Sequence, residues 1–344
     1  MRRLEAWGFN TIGNWGEPKL WTMHRLAYTV PLWLEGEFWW GGIPDPFDPR
    51  FAAAVDEMAR DAAARFGDDP WLVGYFVDNE LAWGRGWSTD PREHYALAIG
   101  TLGRGPESPA KSAFVAQLIE TYHEPERLAE AWGIPLSSWD GLRGAGFALP
   151  PASLDHPAVI RDLAAFTRRF AEAYYRAVGE ALHRHDPNHL YLGSRFAWRT
   201  PEVVEACARW CDVVSFNLYQ RSIDDDHNEW AWFHALGKPA LIGEFHFGST
   251  DRGLFWEGLV GAGKESERGP AYARYLRAVA DHPDFVGAHW FQYVDEPLTG
   301  RTLDGENAHV GFVSVADLPY TEVAAAAREA NLSVLRVLEQ AARR

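Results

Sequence analysis

The chain has 344 residues, 47% of them hydrophobic and 24% charged, which is the balance of a globular protein and not of a disordered or fibrous one. A net charge of −15 argues against nucleic acid or an anionic membrane as partner, because both need basic patches, and is compatible with a neutral substrate. No apolar run approaches the roughly 18 residues that cross a bilayer, and residues 1–9 are too short and polar a stretch for a signal peptide.

The opening run Met1-Arg-Arg-Leu-Glu-Ala-Trp-Gly8 reads as the tail of a helix leading into a strand at 9–15, and a second strand follows at 27–33. Phe51, Val55, Met58, Ala62 and Phe66 recur at helical spacing; Asp48 can cap that helix, Pro49 suits its first turn and Gly67 its end. The next expected strand, 72–79, opens on an apolar run that gives way to Asp78-Asn-Glu80. Then comes the longest connection, 81–158, with helical stretches at 111–122 and 125–132. Val159, Leu163, Phe166, Phe170, Tyr174, Val178 and Leu182 form a long helical stripe before a strand at 190–196. Cys207 and Cys211 fall in the next helix and read as ordinary thiols, packed or half-exposed, not as a disulfide or a zinc site. Strands at 213–219 and 240–245, a helix carrying Tyr272, Tyr275, Leu276 and Val279, and a strand at 286–293 complete the alternation. A last stripe holds Val323, Ala327, Ala330, Val334 and Leu338.

Short apolar strands alternating with amphipathic helices predict a parallel sheet with helical crossovers. The expected fold is α/β: a single (β/α)8 TIM barrel over 1–344, with 81–158 as an insertion that shapes one mouth. The count gives seven strands where a closed barrel has eight. The simplest expectation is that 9–15 is the second strand and that the first lies upstream of Met1, together with any secretion signal. Export or a periplasmic site is expected in that case.

Two strands end in carboxylates, at Glu80 and at Glu244, where Gly243 lets the backbone approach a neighbour closely. Polar groups at the C-terminal ends of barrel strands point into the active-site mouth. Two carboxylates aimed at one bond are what glycoside hydrolysis needs, one to protonate the leaving oxygen and one to attack. The 17 Trp suit both a packed core and a cleft for sugar faces. His246, His289 and His309 sit on separate elements, without the His-x-His strand end of a metal-dependent hydrolase, and no glycine-rich phosphate loop follows a strand. No metal and no cofactor is therefore expected.

Four ordered motifs carry a resemblance. They are Gly8-Phe-Asn-Thr-Ile-Gly-Asn-Trp15; Asp78-Asn-Glu-Leu81; Gly243-Glu-Phe-His-Phe-Gly248 with Asp251-Arg-Gly253; and His289-Trp-Phe-Gln-Tyr293 with Thr299-Gly-Arg301 and Asp304-Gly-Glu-Asn307. Together they resemble the β-agarases of glycoside hydrolase family 50, within the clan of retaining glycosidases that share the barrel. Members of that family typically carry an N-terminal β-sandwich resembling a carbohydrate-binding module, which is absent from this sequence. The resemblance implies Glu80 as acid/base, Glu244 as nucleophile, Asn79 on the sugar 2-OH, Tyr219 orienting Glu244, and Trp290 as a platform under the sugar. Asn14, Arg195, His246 and Gln292 are further candidates for substrate contact. It implies a galactan or agaro-oligosaccharide substrate, cleaved with retention at the β-1,4 bond from D-galactose to 3,6-anhydro-L-galactose, often exo-wise with release of a disaccharide. A β-galactosidase with the same pair, or an inactive glycan-binding barrel, stays open as an alternative.

Overall fold

A computed structural model describes residues 1–34, 38–39, 42–225 and 230–342, without the side chains of 38–39 and 337–342. Among the described residues, seven strands form the two larger sheets: β1 (Thr11–Ile12), β2 (Ala27–Leu32), β3 (Leu72–Val77), β4 (Leu190–Tyr191), β5 (Val214–Asn217), β6 (Ala240–Phe245) and β7 (Phe285–Trp290). Each coincides with one of the seven apolar runs. The principal helices are α1 (Pro49–Phe66), α2 (Pro109–Tyr122), α3 (Pro125–Trp132), α4 (Pro157–His185), α5 (Pro201–Trp210), α6 (Glu265–Asp281) and α7 (Thr321–Ala342). None of the described helices is long and apolar enough to cross a membrane.

Several strands are shorter than their apolar runs, and the backbone gives the reason. Gly193 (φ 81°) and Arg195 (φ 58°) take left-handed conformations that end β4 early, and Trp15 (φ 66°) turns the chain out of β1. Helix starts follow the sequence closely. Asp48 accepts the Arg50 amide in front of Pro49, as a capping carboxylate should. Gly67 closes α1 in a right-handed conformation (φ −60°), so its value there is not a left-handed cap.

The described residues divide into two compact units: residues 1–30, 70–74 and 215–344 form the first, and 31–69 and 75–214 the second. In the first unit β1 pairs in parallel with β2, Thr11 opposite Ala27 and Ile12 opposite Tyr28. The Tyr28 amide donates to Trp71 O at 3.0 Å. A second parallel sheet has the order β7-β6-β5, with Phe285 opposite Ala240 and Trp290 opposite Phe245. Helix α6 covers it through Tyr272, Tyr275 and Val279, and α7 packs on α6, with Val323 and Ala327 buried. Its core is aromatic: Phe245 stacks on Tyr275 with centroids 4.4 Å apart and meets Trp290 edge-on at 5.2 Å. Leu338 lies outside the described side chains.

In the second unit the Asp78 amide donates to Leu32 O (2.8 Å), the Val77 amide to Gly193 O (3.0 Å) and the Leu192 amide to Tyr75 O (2.8 Å), which orders β2, β3 and β4 side by side. Helix α4 buries Val159, Leu163, Phe166, Phe170, Tyr174, Val178 and Leu182 along one stripe. The stretch 81–158 docks on it through α2 and α3, with Phe114 stacked on Phe166 at 4.0 Å. Cys207 and Cys211 are buried free thiols.

Candidate active site

The first unit builds its polar centre around Glu244, one residue before the end of β6. An apolar strand buried throughout leaves this carboxylate only 6% exposed, so its oxygens need partners. Oε1 accepts the Trp15 indole N–H at 2.7 Å and Oε2 accepts the Tyr219 hydroxyl at 2.5 Å. Hydrogen bonds to a charged acceptor are worth about 1.5–3 kcal/mol each, enough to hold the carboxylate in one rotamer.

Trp15 reaches Glu244 because the chain reverses directly after β1. Its φ of 66° is rare for an aromatic residue. The reversal closes with the Gly16 amide on Gly13 O at 3.3 Å. A Cβ on Gly16 would stand 2.4 Å from Ile12 Cγ2, so only glycine fits there. The indole edge grips Glu244 while the residue stays 44% exposed. Beside it, Asn14 Oδ1 accepts the Thr29 hydroxyl at 3.3 Å, and Asn14 Nδ2 is buried without a hydrogen-bond partner.

The Tyr219 ring lies 4.6 Å from the ring of His246, which is buried. Burial pushes the His246 imidazole down to about 3, against a small opposing pull from its backbone hydrogen bond, so the ring is neutral. Nδ1 lies 3.1 Å from Phe291 O, and Nε2 accepts the Leu259 amide at 2.8 Å. The accepting Nε2 assigns the ring hydrogen to Nδ1. Both nitrogens of this candidate contact residue are therefore spent on backbone, and what His246 presents to a ligand is ring surface. Trp290 is half-buried. Its indole N–H is shared between Gln292 O and Val310 O, each 3.1 Å away, which fixes the ring among Phe245, Tyr272 and Phe312. Gln292 is half-buried, and its backbone oxygen serves that bond.

The second unit places the other candidates after β3 and β4. Asp78 (φ 56°) and Glu80 (φ 37°) both take left-handed backbone within three residues. Such conformations cost of order 1–3 kcal/mol each in non-glycine residues, and they concentrate where function requires a particular side-chain direction. Asp78, 4% exposed, holds the turn: Oδ1 accepts the Leu34 amide at 3.0 Å and Oδ2 the Tyr174 hydroxyl at 2.6 Å. Burial raises its carboxyl to about 6, partly offset by those two donors. Between Asp78 and Glu80 stands Asn79, whose Oδ1 is buried without a hydrogen-bond partner. Arg195 is buried with its guanidinium 5.2 Å from the centre of the Phe76 ring.

The fold thus gathers Glu244, Tyr219, His246, Trp290, Gln292 and Asn14 in one unit, and Asn79, Glu80 and Arg195 at strand ends of the other. Two residues outside the expected set take part: Trp15, which holds Glu244, and Asp78, which holds the turn at Glu80. Asp78 was visible as a polar strand end. Trp15 carried only a weak signal, an aromatic residue followed by glycine at the end of a strand.

No family model matches the sequence. The chain is 40% identical to β-agarase B of Vibrio sp. (strain JT0107) over 349 residues, covering 96% of this chain and 35% of that one. Among solved structures it is similar to the agarase AgWH50C, with 41% identity and a TM-score of 0.89 over 96% of this chain and 48% of that one. It is likewise similar to an exo-β-agarase, with 40% identity and a TM-score of 0.90 over 97% and 46% of the two chains. The chain spans about a third of the length of the curated relatives it matches. These likenesses agree with an α/β glycosidase fold.

Proposed function

Since the chain is kin, over almost all of its length, to the β-agarases of glycoside hydrolase family 50, we propose that it is a glycoside hydrolase that cleaves β-galactosidic bonds of agarose with retention. In this reading residues 1–344 form one catalytic (β/α)8 barrel. Glu80 is the acid/base and Glu244 the nucleophile. The observation that carries the reading is the state of Glu244: a buried carboxylate at a strand end, with the Trp15 indole on one oxygen and the Tyr219 hydroxyl on the other. Such a group is held in place for attack.

The steps follow from that chemistry. One Glu244 oxygen forms a bond to the anomeric carbon as the glycosidic bond breaks, and Glu80 gives its proton to the departing oxygen. Water then attacks the same carbon, Glu80 takes its proton, and the ester bond breaks with its electron pair returning to Glu244. Asn79 supports the reading through its unpartnered buried oxygen, which suits a sugar hydroxyl as donor. The exposed faces of Trp33, Trp87 and Trp198, on the loops after β2, β3 and β4, suit apolar sugar faces.

The test separates the two carboxylates. Glu244→Ala should lose several orders of magnitude in turnover on every substrate, with azide restoring activity and giving inverted glycosyl azide. Glu80→Ala should keep glycosylation by a substrate with a good aryl leaving group, lose it on agarose, and give retained azide. Equal losses on both substrates without azide rescue would contradict the assignment.

A further inference from the structure

Trp15 donates to one oxygen of Glu244 and Tyr219 to the other, and these two donors differ in kind. Tyr219 offers a hydroxyl that can rotate about its C–O bond. Trp15 offers an indole N–H whose direction is fixed by the ring, and the ring is fixed by a left-handed backbone between Asn14 and Gly16. When a carboxylate becomes a glycosyl ester, the oxygen that bonds to carbon becomes a poor acceptor and its donor must find another partner. The other oxygen becomes the ester carbonyl and keeps its hydrogen bond. Releasing a rotatable hydroxyl needs no movement of its ring, whereas releasing the indole means moving the whole ring.

On the reading of Glu244 as nucleophile, we propose that Trp15 is a positioning residue that stays on Oε1 throughout the reaction, and that Oε2, the oxygen held by Tyr219, is the one that attacks. In the first step Oε2 uses a lone pair to bond to the anomeric carbon, the glycosidic bond breaks, and the leaving oxygen takes its electron pair and a proton from the acid. In the second step water bonds to that carbon, its proton goes to the conjugate base, and the pair of the breaking ester bond returns to Glu244.

The two steps load Oε1 in opposite senses. During glycosylation negative charge leaves Glu244, so a donor on Oε1 contributes little to lowering that barrier. During deglycosylation negative charge returns, and a donor already in place stabilises it as it grows. Removing the Trp15 donor should therefore slow the second step selectively. Loss of one hydrogen bond to a developing charge corresponds to about a ten- to hundred-fold slower step.

The experiment is steady-state and burst kinetics of Trp15→Phe, which keeps an aromatic ring at this position. The substrate is an aryl glycoside of the agarose disaccharide with a good leaving group. Predicted are a fall in kcat of about ten- to hundred-fold, a parallel fall in KM, nearly unchanged kcat/KM, and a pre-steady-state burst of the aryl alcohol. Tyr219→Phe should instead lower kcat/KM without a burst, because it loosens the attacking oxygen. A Trp15→Phe enzyme with unchanged kcat, or with kcat and kcat/KM lowered equally and no burst, overturns the inference. Glu244→Ala measured alongside separates the two levels. If it keeps turnover, the nucleophile assignment fails; if it is dead while Trp15→Phe behaves as wild type, only the role of Trp15 fails.

Discussion

Asp78 is a strand-end residue whose charge state the fold controls. Its carboxyl stands at about 6 instead of 3.8, because burial outweighs the hydrogen bonds from Tyr174 and Leu34. A raised acid binds its proton more tightly folded than unfolded. The folded state is then most favoured below about pH 4 and loses that advantage as pH rises through about 6. The displacement corresponds to about 3 kcal/mol once the group is ionised. Asp78→Asn keeps an acceptor for the Leu34 amide and removes the titration. The melting temperature of the variant relative to wild type should therefore rise between pH 4 and pH 7, and a pH-independent difference would contradict this account. Because Asp78 fixes the turn that ends in Glu80, activity should fall even where the variant melts higher. The sequence made the polar strand end visible, but not this titration, which arises from packing against Tyr174 nearly a hundred residues away.

Among the elements, the stretch 81–158 is tied to α4 by a buried carboxylate. Asp162 on α4 accepts the Tyr122 hydroxyl of α2 at 2.6 Å and the Trp132 indole N–H of α3 at 2.8 Å. Asp162→Ala leaves two buried donors without their acceptor, at about 1–3 kcal/mol each. We expect denaturant unfolding to show a loss of that order, and limited proteolysis to cut first within 81–158. Unchanged stability would mean that the remaining contacts of this segment, the Phe114–Phe166 stack among them, hold it without Asp162. The principal helices and the seven strands of the two larger sheets were legible because apolar periodicity and capping residues are local signals, as the Asp48 cap shows; short elements such as Ala96–Leu102 were not. The strand ends were not, since Gly193, Arg195 and Trp15 leave extended geometry for reasons set by their neighbours. For the same reason Trp15 went unread as a donor: the target of an indole N–H is fixed by the fold and not by adjacent residues. His246 shows the converse, a polar strand-end residue whose nitrogens turn out to be committed to backbone.

For the molecule as a whole, the pH range of stability depends on a buried ionic cluster in the first unit. His309 lies fully buried with Nδ1 3.0 Å from Asp295 and Nε2 2.7 Å from Glu265, and Arg268 donates to the same Glu265 oxygen at 2.9 Å. Burial works to lower the His309 pKa, but the hydrogen bonds to the two carboxylates outweigh it and raise it. The stabilisation is therefore complete below about 6.5 and is lost as pH rises through the folded value. Wild type should lose more melting temperature between pH 6 and pH 9 than His309→Gln does, and parallel curves would contradict this. Trapping the covalent intermediate identifies the nucleophile. After incubation with an aryl 2-deoxy-2-fluoro glycoside of the agarose disaccharide, which forms the ester faster than it is hydrolysed, peptides are sequenced by mass spectrometry. A single glycosyl adduct on Glu244 is expected. An adduct on any other carboxylate, or product of inverted configuration with no adduct at all, would contradict it.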